Sequence, residues 1–255
     1  MSLAQHVVLR PADGRPLFND LDNRRVFTEK VALVGESFDV GAWGAGDNHA
    51  HVANLHEDEA AAREMARRIE SSLTQKLGLA DGFAEAKVKS ISDQSHLYSS
   101  IPYILRQGER HGVTCDPFHE GSSLPDMLGY RLVAPGLRER LARHAPRFDP
   151  RRHRPGELGP LPPADDAAAW AAAAAAVIGR RDLVGRSSAV LAARRAVVEL
   201  AVTASTASLC EALNISPRSL RRLRATPPPS TAMRDAVIAQ ARWRSANSER
   251  DPRAA

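Results

Sequence analysis

Cysteine is nearly absent from this sequence of 255 residues, which contains only Cys115 and Cys210. Neither belongs to a Cys-x-x-Cys or Cys/His pattern, which excludes a disulfide-rich scaffold and a zinc finger. No apolar run approaches the ~18 residues that a membrane-spanning helix needs. The N-terminal residues also lack the basic and then apolar order of a signal peptide. We therefore expect a cytoplasmic protein without a membrane segment.

Lysine is absent from the second half of the chain. Residues 131–255 contain 22 arginines and 11 acidic residues, a balance of +11, whereas residues 1–130 have a balance of −6. The arginine guanidinium is a planar fork of donors that suits phosphates and guanine edges. This asymmetry favours a nucleic-acid-binding module joined to a second domain. A GC-rich coding sequence would also explain the use of arginine over lysine, although it does not explain the asymmetry.

The first half alternates between strand and helix patterns. Strands are predicted over 4–10, 38–43, 49–55 and 86–91, with a hairpin turn over 45–48. Helices are predicted to begin at Asp20, Glu57 and Asp93, and the last is expected to stop near Gly112 after an interruption or kink at Pro102. This order predicts an α+β fold in which helices pack on one face of a mainly antiparallel sheet.

The second half has a different organisation. Residues 147–163 are rich in Pro, Gly and Arg without periodicity and predict a linker, whereas the alanine-rich residues 167–178 predict a helix. Every later pattern is helical. We expect a first domain over 1–146, a linker with an alanine-rich helix over 147–180, and an all-α domain over 181–255.

A helix-turn-helix pattern lies within the all-α domain. A helix over 187–201 precedes a short helix capped by Thr206, a break at 214–216, and a last helix over 217–225 that Ser216 caps. The exposed side of that last helix carries four arginines: Arg218, Arg221, Arg222 and Arg224. This pattern predicts a DNA-binding domain in which these arginines contact phosphates or guanine edges. The alternative is a small helical bundle with a solvated charged face.

The segment Asp47-Asn48-His49-Ala50-His51-Val52 contains a His-x-His pair on a predicted strand. Residues i and i+2 of a strand point to the same face, so the two imidazoles would lie side by side. Two imidazoles in this arrangement suit one shared metal ion. The alternative is a pair of surface histidines on a half-exposed strand.

Tyr103 and Gln107 are four residues apart on a predicted helix and would share a face. A tyrosine one turn from a metal-binding side chain suits covalent phosphoryl transfer to DNA, in which the phenolate attacks phosphorus. The alternative is a core tyrosine and a surface glutamine.

Four segments, in this order, resemble the single-tyrosine HUH transposases in the branch called REP-associated tyrosine transposases. ADGRPLFNDLDNRRVF (12–27) is similar to the strand–turn–helix that opens the family, and GDNHAHV (46–52) is similar to its Asp-Asn-His-x-His motif. KVKSI (87–91) precedes YILRQGERHGV (103–113), where the family has a tyrosine and, four residues later, a metal-binding Asn or Gln. GSSLPDMLGY (121–130) is similar to its Ser-Ser segment, so the resemblance covers about the first half of the chain.

The resemblance implies a ferredoxin- or RRM-like HUH catalytic domain. In it, His49, His51 and Gln107 bind a divalent metal, Mg²⁺ or Mn²⁺, and Tyr103 is the nucleophile. Such an endonuclease cleaves single-stranded DNA, leaves a 5′-phosphotyrosine and a free 3′-hydroxyl, and rejoins a different end by reversal. Its target is a hairpin with flanking single strands. The sequence does not choose between a homodimer and a monomer.

Two other functions fit the same motifs. A non-catalytic DNA-binding regulator derived from a decayed transposase would have Tyr103 buried or the two histidines splayed apart. A metal-dependent phosphodiesterase would hydrolyse with water and have no phenol beside its metal. The remaining histidines with no clear partner spacing are expected in surface or capping roles: His56, His96, His111 and His119.

Overall fold

The computed structural model describes residues 2–111, 120–154 and 156–247. Cys115, His119 and the helix end expected near Gly112 lie outside these residues. The chain divides into two compact units, each with its own core. Unit 1 comprises Met1–Leu128 and Val133–Pro155, and unit 2 comprises Gly129–Leu132 and Gly156–Ala255.

Unit 1 contains one four-stranded antiparallel sheet with the order β2-β3-β1-β4. The strands are β1 (Ala4–Leu9), β2 (Val40–Ala45), β3 (Ala50–Asn54) and β4 (Lys87–Ile91). β2 and β3 form the expected hairpin, and β1 pairs with both β3 and β4. Residues 121–123 hydrogen-bond along the outer edge of β2, so β4 is the edge strand on the opposite side.

Helices cover both faces of this sheet, not one face as the sequence predicted. The helices of unit 1 are α1 (Leu21–Gly35), α2 (Glu59–Leu77), α3 (Gln94–Leu105), α4 (Gln107–Arg110), α5 (Leu124–Leu128) and α6 (Leu137–His144). On one face, the Trp43 indole donates to Thr28 of α1, and the Asn54 amide contacts the sulfur of Met65 in α2. On the other face, α3 packs against β2 and β3. β2 and β3 are therefore buried on both faces, and apart from His51 and Asn54 their residues are all apolar or small.

The predicted helix that contains Tyr103 and Gln107 is divided into α3 and α4. Asp93 caps α3 as expected, by accepting a hydrogen bond from the His96 backbone N–H. Pro102 lies inside α3, and the helix ends three residues later at Leu105. Arg106 then adopts a non-helical conformation before α4 begins at Gln107. The interruption expected from proline therefore falls between the two candidate site residues.

The described part of unit 2 is all helical: α7 (Ala167–Val177), α8 (Ser188–Leu200), α9 (Thr206–Ala212), α10 (Pro217–Arg224) and α11 (Thr231–Asn247). The alanine-rich α7, which the sequence placed in a linker, lies at the centre of the core of this unit, where α8, α9 and α11 pack against it. Small alanine side chains allow this close approach from several sides. No helix among the described residues is long and apolar enough to cross a membrane.

Candidate active site

The two histidines of the His-x-His motif lie side by side beneath α3. His49 directly precedes β3 and His51 lies within it, and their ring centroids are 4.9 Å apart. Both residues are buried, and His51 is only 4% exposed. The expected adjacency of the two imidazoles is therefore present, although the rings are buried and do not lie on a half-exposed surface.

A third histidine, which no sequence motif indicated, fixes the orientation of His51. His6 on β1 lies 2.7 Å from His51, measured from Nε2 of His6 to Nδ1 of His51. When Nδ1 of His51 donates this hydrogen bond, its Nε2 carries a lone pair. That Nε2 is buried and has no hydrogen-bond partner among the described residues. A metal ligand would have this geometry, in which one ring nitrogen is held by a neighbour and the other is free.

Gln107 lies over the same part of the sheet. Its amide Nε2 donates to the Tyr103 carbonyl oxygen at 2.8 Å, while its Oε1 is buried without a hydrogen-bond partner among the described residues. It packs above Gly44, which pairs with His51 in the β2–β3 hairpin. A side chain at position 44 would collide with the Ile104 carbonyl oxygen, so glycine is what allows α3 to approach.

Tyr103 extends from α3 beside these groups. Its ring is 5.4 Å from the His51 ring and 5.9 Å from the His6 ring, measured between centroids, and the residue is 37% exposed. The Arg110 guanidinium lies over the phenol ring at 4.7 Å from its centroid. The structure thus brings an accessible phenol, a cation and the buried histidines together.

Asp47 and His111 form a second group of donors around His49. The His49 and His111 rings are 4.5 Å apart, and Nδ1 of His111 is 3.6 Å from the Asp47 carboxylate. The ligand atoms of Asp47, His49 and His111 all lie within 4.8 Å of one another. His111 is exposed, as expected, but it also contacts His49 and Asp47, which the sequence did not predict. His111 follows α4 and reaches His49 only because the chain folds back over the sheet, so sequence spacing gave no signal.

The pKa values of His6, His49 and His51 are all lowered, which favours their neutral form. Burial first, and then the charge of His6 and His49, lowers the pKa of His51 from its ordinary 6.5 to about 2. Burial and then Lys89 lower the pKa of His6 to about 4. The pKa of His49 is also lowered, by burial first and then by His111. Neutral imidazoles carry the lone pairs that metal ligation requires.

The group of Asp47, His49 and His111 could hold a metal ion, and two further polar atoms nearby are left without partners in the described part of the chain. His51 Nε2 and Gln107 Oε1 are buried polar atoms that lack protein partners among the described residues, a costly state that a bound cation would relieve. The set predicted from the sequence is His49, His51 and Gln107. His49 also belongs to the second group, with Asp47 and His111. Imidazole nitrogens favour Mn²⁺ or another transition ion over Mg²⁺.

The arginines predicted to bind DNA lie together on α10 of unit 2. Ser216 caps this helix as predicted, and Asn214 in the preceding turn has a positive φ of 49°. The cap of α9, in contrast, is Ser205 and not Thr206. Leu220 is buried, while four arginines are exposed: Arg218, Arg221, Arg222 and Arg224. Their side chains form one cationic surface without an ion-pair partner in the described part of the chain.

Comparisons with known proteins give a limited structural likeness. No family model matches the sequence, and no curated protein matches it. A solved structure of a REP-associated tyrosine transposase bound to a REP hairpin is similar, with a TM-score of 0.39 and 15% sequence identity. The match covers 46% of this chain and 74% of that one. A likeness of this size carries no argument about function.

Proposed function

We propose that unit 1 is a metal-dependent endonuclease and transposase that cleaves single-stranded DNA through a covalent bond to Tyr103. A single observation carries this proposal. An exposed phenol lies 5.4 Å, ring to ring, from a buried histidine whose outer nitrogen has no hydrogen-bond partner in the described residues. A regulator on a decayed scaffold would need neither feature, because it has no nucleophile to present and no cation to bind.

In the proposed reaction, the phenolic oxygen of Tyr103 forms a bond to the scissile phosphorus. The bond from that phosphorus to the 3′ oxygen breaks, which leaves a 5′-phosphotyrosine and a free 3′-hydroxyl. The phenolic proton passes to solvent, and the released 3′ oxygen takes up a proton. The phosphodiester energy is kept in the phosphotyrosine, so a second 3′-hydroxyl can reverse the step and join a different end without a nucleotide cofactor.

The chain's own residues prepare this step. His49, His51 and Gln107 would hold the divalent metal, which supplies charge stabilisation at the non-bridging phosphate oxygens when it is bound. His6 keeps the His51 ring oriented through its hydrogen bond. Arg110, over the Tyr103 ring, places a positive charge where the phosphate must approach the phenol.

For unit 2 we propose DNA binding through α10. Its four exposed arginines would contact phosphates or base edges of the DNA that carries the cleavage site. Ser216 and the left-handed Asn214 set the start and direction of this helix after a short turn. The role of this unit would be to hold the hairpin while unit 1 acts on the flanking single strand.

The decisive experiment compares the wild-type chain with the variants Tyr103→Phe and Tyr98→Phe. Hairpins with single-stranded flanks, drawn from DNA next to the coding sequence and labelled at either end, are incubated with Mn²⁺ or Mg²⁺ and separated on denaturing gels. We expect a covalent adduct with the 3′-labelled fragment for the wild type and for Tyr98→Phe. Tyr98 is a matched control because it lies on the same helix, and its hydroxyl accepts a hydrogen bond from the Arg147 backbone.

The adduct should disappear in Tyr103→Phe and in the presence of EDTA. Binding without an adduct under every metal condition would refute the proposal in favour of the non-catalytic regulator. Cleavage that persists in Tyr103→Phe would instead establish hydrolysis by water, as in a phosphodiesterase.

A further inference from the structure

The face of the sheet that carries the site is only partly covered by helices. α3 and α4 pack against β2 on this face, and α3 also packs against β3. Further along the sheet, His6 and Val8 of β1 are half-buried, whereas Val7 and Leu9, on the opposite face of β1, are fully buried. Within the described residues, the β1–β4 side of the site face is therefore accessible to solvent next to Tyr103.

Two lysines of β4 lie on this accessible side. In the antiparallel pairing of β1 with β4, Lys87 is opposite Val8 and Lys89 is opposite His6. Residues directly opposite each other share a face of the sheet, so both lysines lie on the face of the histidines. Both are exposed, and neither has an ion-pair partner in the part of the chain that the structure describes.

Half of the lysines in the sequence lie on the face of the sheet that carries the site. The sequence contains four lysines, and Lys87 and Lys89 are the two on this face. The other two, Lys30 and Lys76, belong to α1 and α2, which cover the opposite face. Lys87 and Lys89 are two residues apart on one strand, a spacing of about 7 Å. β4 is two strands away from β3, the strand of His51, which corresponds to about 10 Å. The Lys89 ammonium group is therefore within reach of a phosphate next to the one that Tyr103 would attack.

We infer that Lys87 and Lys89 form a phosphate-binding track, here called the β4 track, for the single strand that enters the site. This inference rests on the proposed function, since it assigns the path of the same substrate. Exposed ammonium groups bind phosphates as point charges and do not distinguish bases. The β4 track would thus hold single-stranded DNA of any sequence along the edge of the sheet. The DNA would lie over His6 and Val8 of the neighbouring strand β1.

The test is the salt dependence of DNA binding by the full chain. Fluorescence anisotropy is measured with a labelled oligothymidylate of about 20 nucleotides, longer than a single-strand site of ~4–16 nucleotides. EDTA is present so that no cleavage occurs. For Lys87→Gln/Lys89→Gln we expect about tenfold weaker binding at 0.1 M salt, and a slope of log K against log salt that is smaller by about 1.4, or ~0.7 for each lost phosphate contact.

Two control variants isolate the effect of position from that of charge. Lys30→Gln/Lys76→Gln removes the same charge from the opposite face and should leave both the affinity and the slope nearly unchanged. Lys87→Arg/Lys89→Arg keeps the charge and should bind like the wild type. Weak binding by this arginine pair would overturn the inference, because a phosphate track needs charge and not a particular packing.

The remaining outcomes separate this inference from the proposed function. If the wild type binds the oligonucleotide and the glutamine pair has the same slope, the β4 track is refuted while the tyrosine chemistry stands. If the wild type binds no oligothymidylate at all, the β4 track is refuted, while the proposed function, whose substrate carries a hairpin, is decided separately by the covalent-adduct gel.

Discussion

Gly44 is the position at which the geometry of the site is most sensitive to a single methyl group. It lies in β2 opposite His51, and an alanine Cβ there would overlap the backbone carbonyl oxygen of Ile104 in α3. A backbone atom cannot rotate away as the end of a side chain can. The substitution Gly44→Ala therefore requires α3, and with it Tyr103, to move away from the histidines.

The size of the expected loss of stability follows from the burial of this contact. Overpacking of a closely packed core costs about 1–3 kcal/mol. For a unit of this size, that loss lowers the melting temperature by roughly 2–4 °C for each kcal/mol. Displacement of a catalytic group by about 1 Å reduces its rate about 100-fold, so adduct formation should fall more steeply than stability.

The assay combines thermal unfolding, followed by circular dichroism, with the covalent-adduct gel. Gly136→Ala is the control, because its added Cβ would meet only the end of the Arg140 side chain. We expect Gly136→Ala to change the melting temperature little and to keep adduct formation. A Gly44→Ala protein with wild-type stability and wild-type adduct yield would show that α3 does not depend on this close approach, and would refute the reasoning.

Two further predictions concern stability and the second unit. Because burial lowers the pKa of His6 to about 4 and of His51 to about 2, the unfolded chain takes up protons below pH 6.5 that the folded chain does not. Stability should therefore fall as the pH drops from 7 to 5, with a slope that approaches about 1.4 kcal/mol per pH unit for each buried histidine once the pH is below 6.5. Thermal melts would measure this fall, His51→Asn should reduce it, and a flat profile would contradict it. In unit 2, Arg218→Gln/Arg222→Gln should reduce the salt slope of hairpin binding by about 0.9 per arginine without changing the melting temperature. The exposed Arg244→Gln on α11 is the control, and an equal effect there would argue against a specific role for α10.

Local features of the fold were predictable from the sequence because they depend on neighbouring residues. The caps at Asp20, Asp93 and Ser216 hold as predicted, since each side chain accepts from a backbone N–H within three residues. The four strands are present within a few residues of their predicted ranges. The antiparallel arrangement also follows from short connections, such as the hairpin between β2 and β3.

Features that depend on distant contacts were not predictable in the same way. The sequence predicted helices on one face of the sheet, yet α3 covers the second face because Gly44 allows it to come close. The alanine-rich α7 was predicted as a helix within a linker region, but its small side chains, together with the buried Trp170, place it in the core of unit 2. The membership of His6 and His111 in the site depends on strand pairing and on the chain folding back, which no local spacing reports.

The sequence by itself determined that His49 and His51 are neighbours, because alternation along a strand is a property of the backbone. It also determined that α10 presents arginines beside a buried leucine, because the helical period separates the two faces. Only the tertiary structure decided that His51 has one nitrogen held by His6 and the other without a partner among the described residues. Only the tertiary structure placed Lys89 opposite His6, since register between strands is fixed by the packing of the whole sheet.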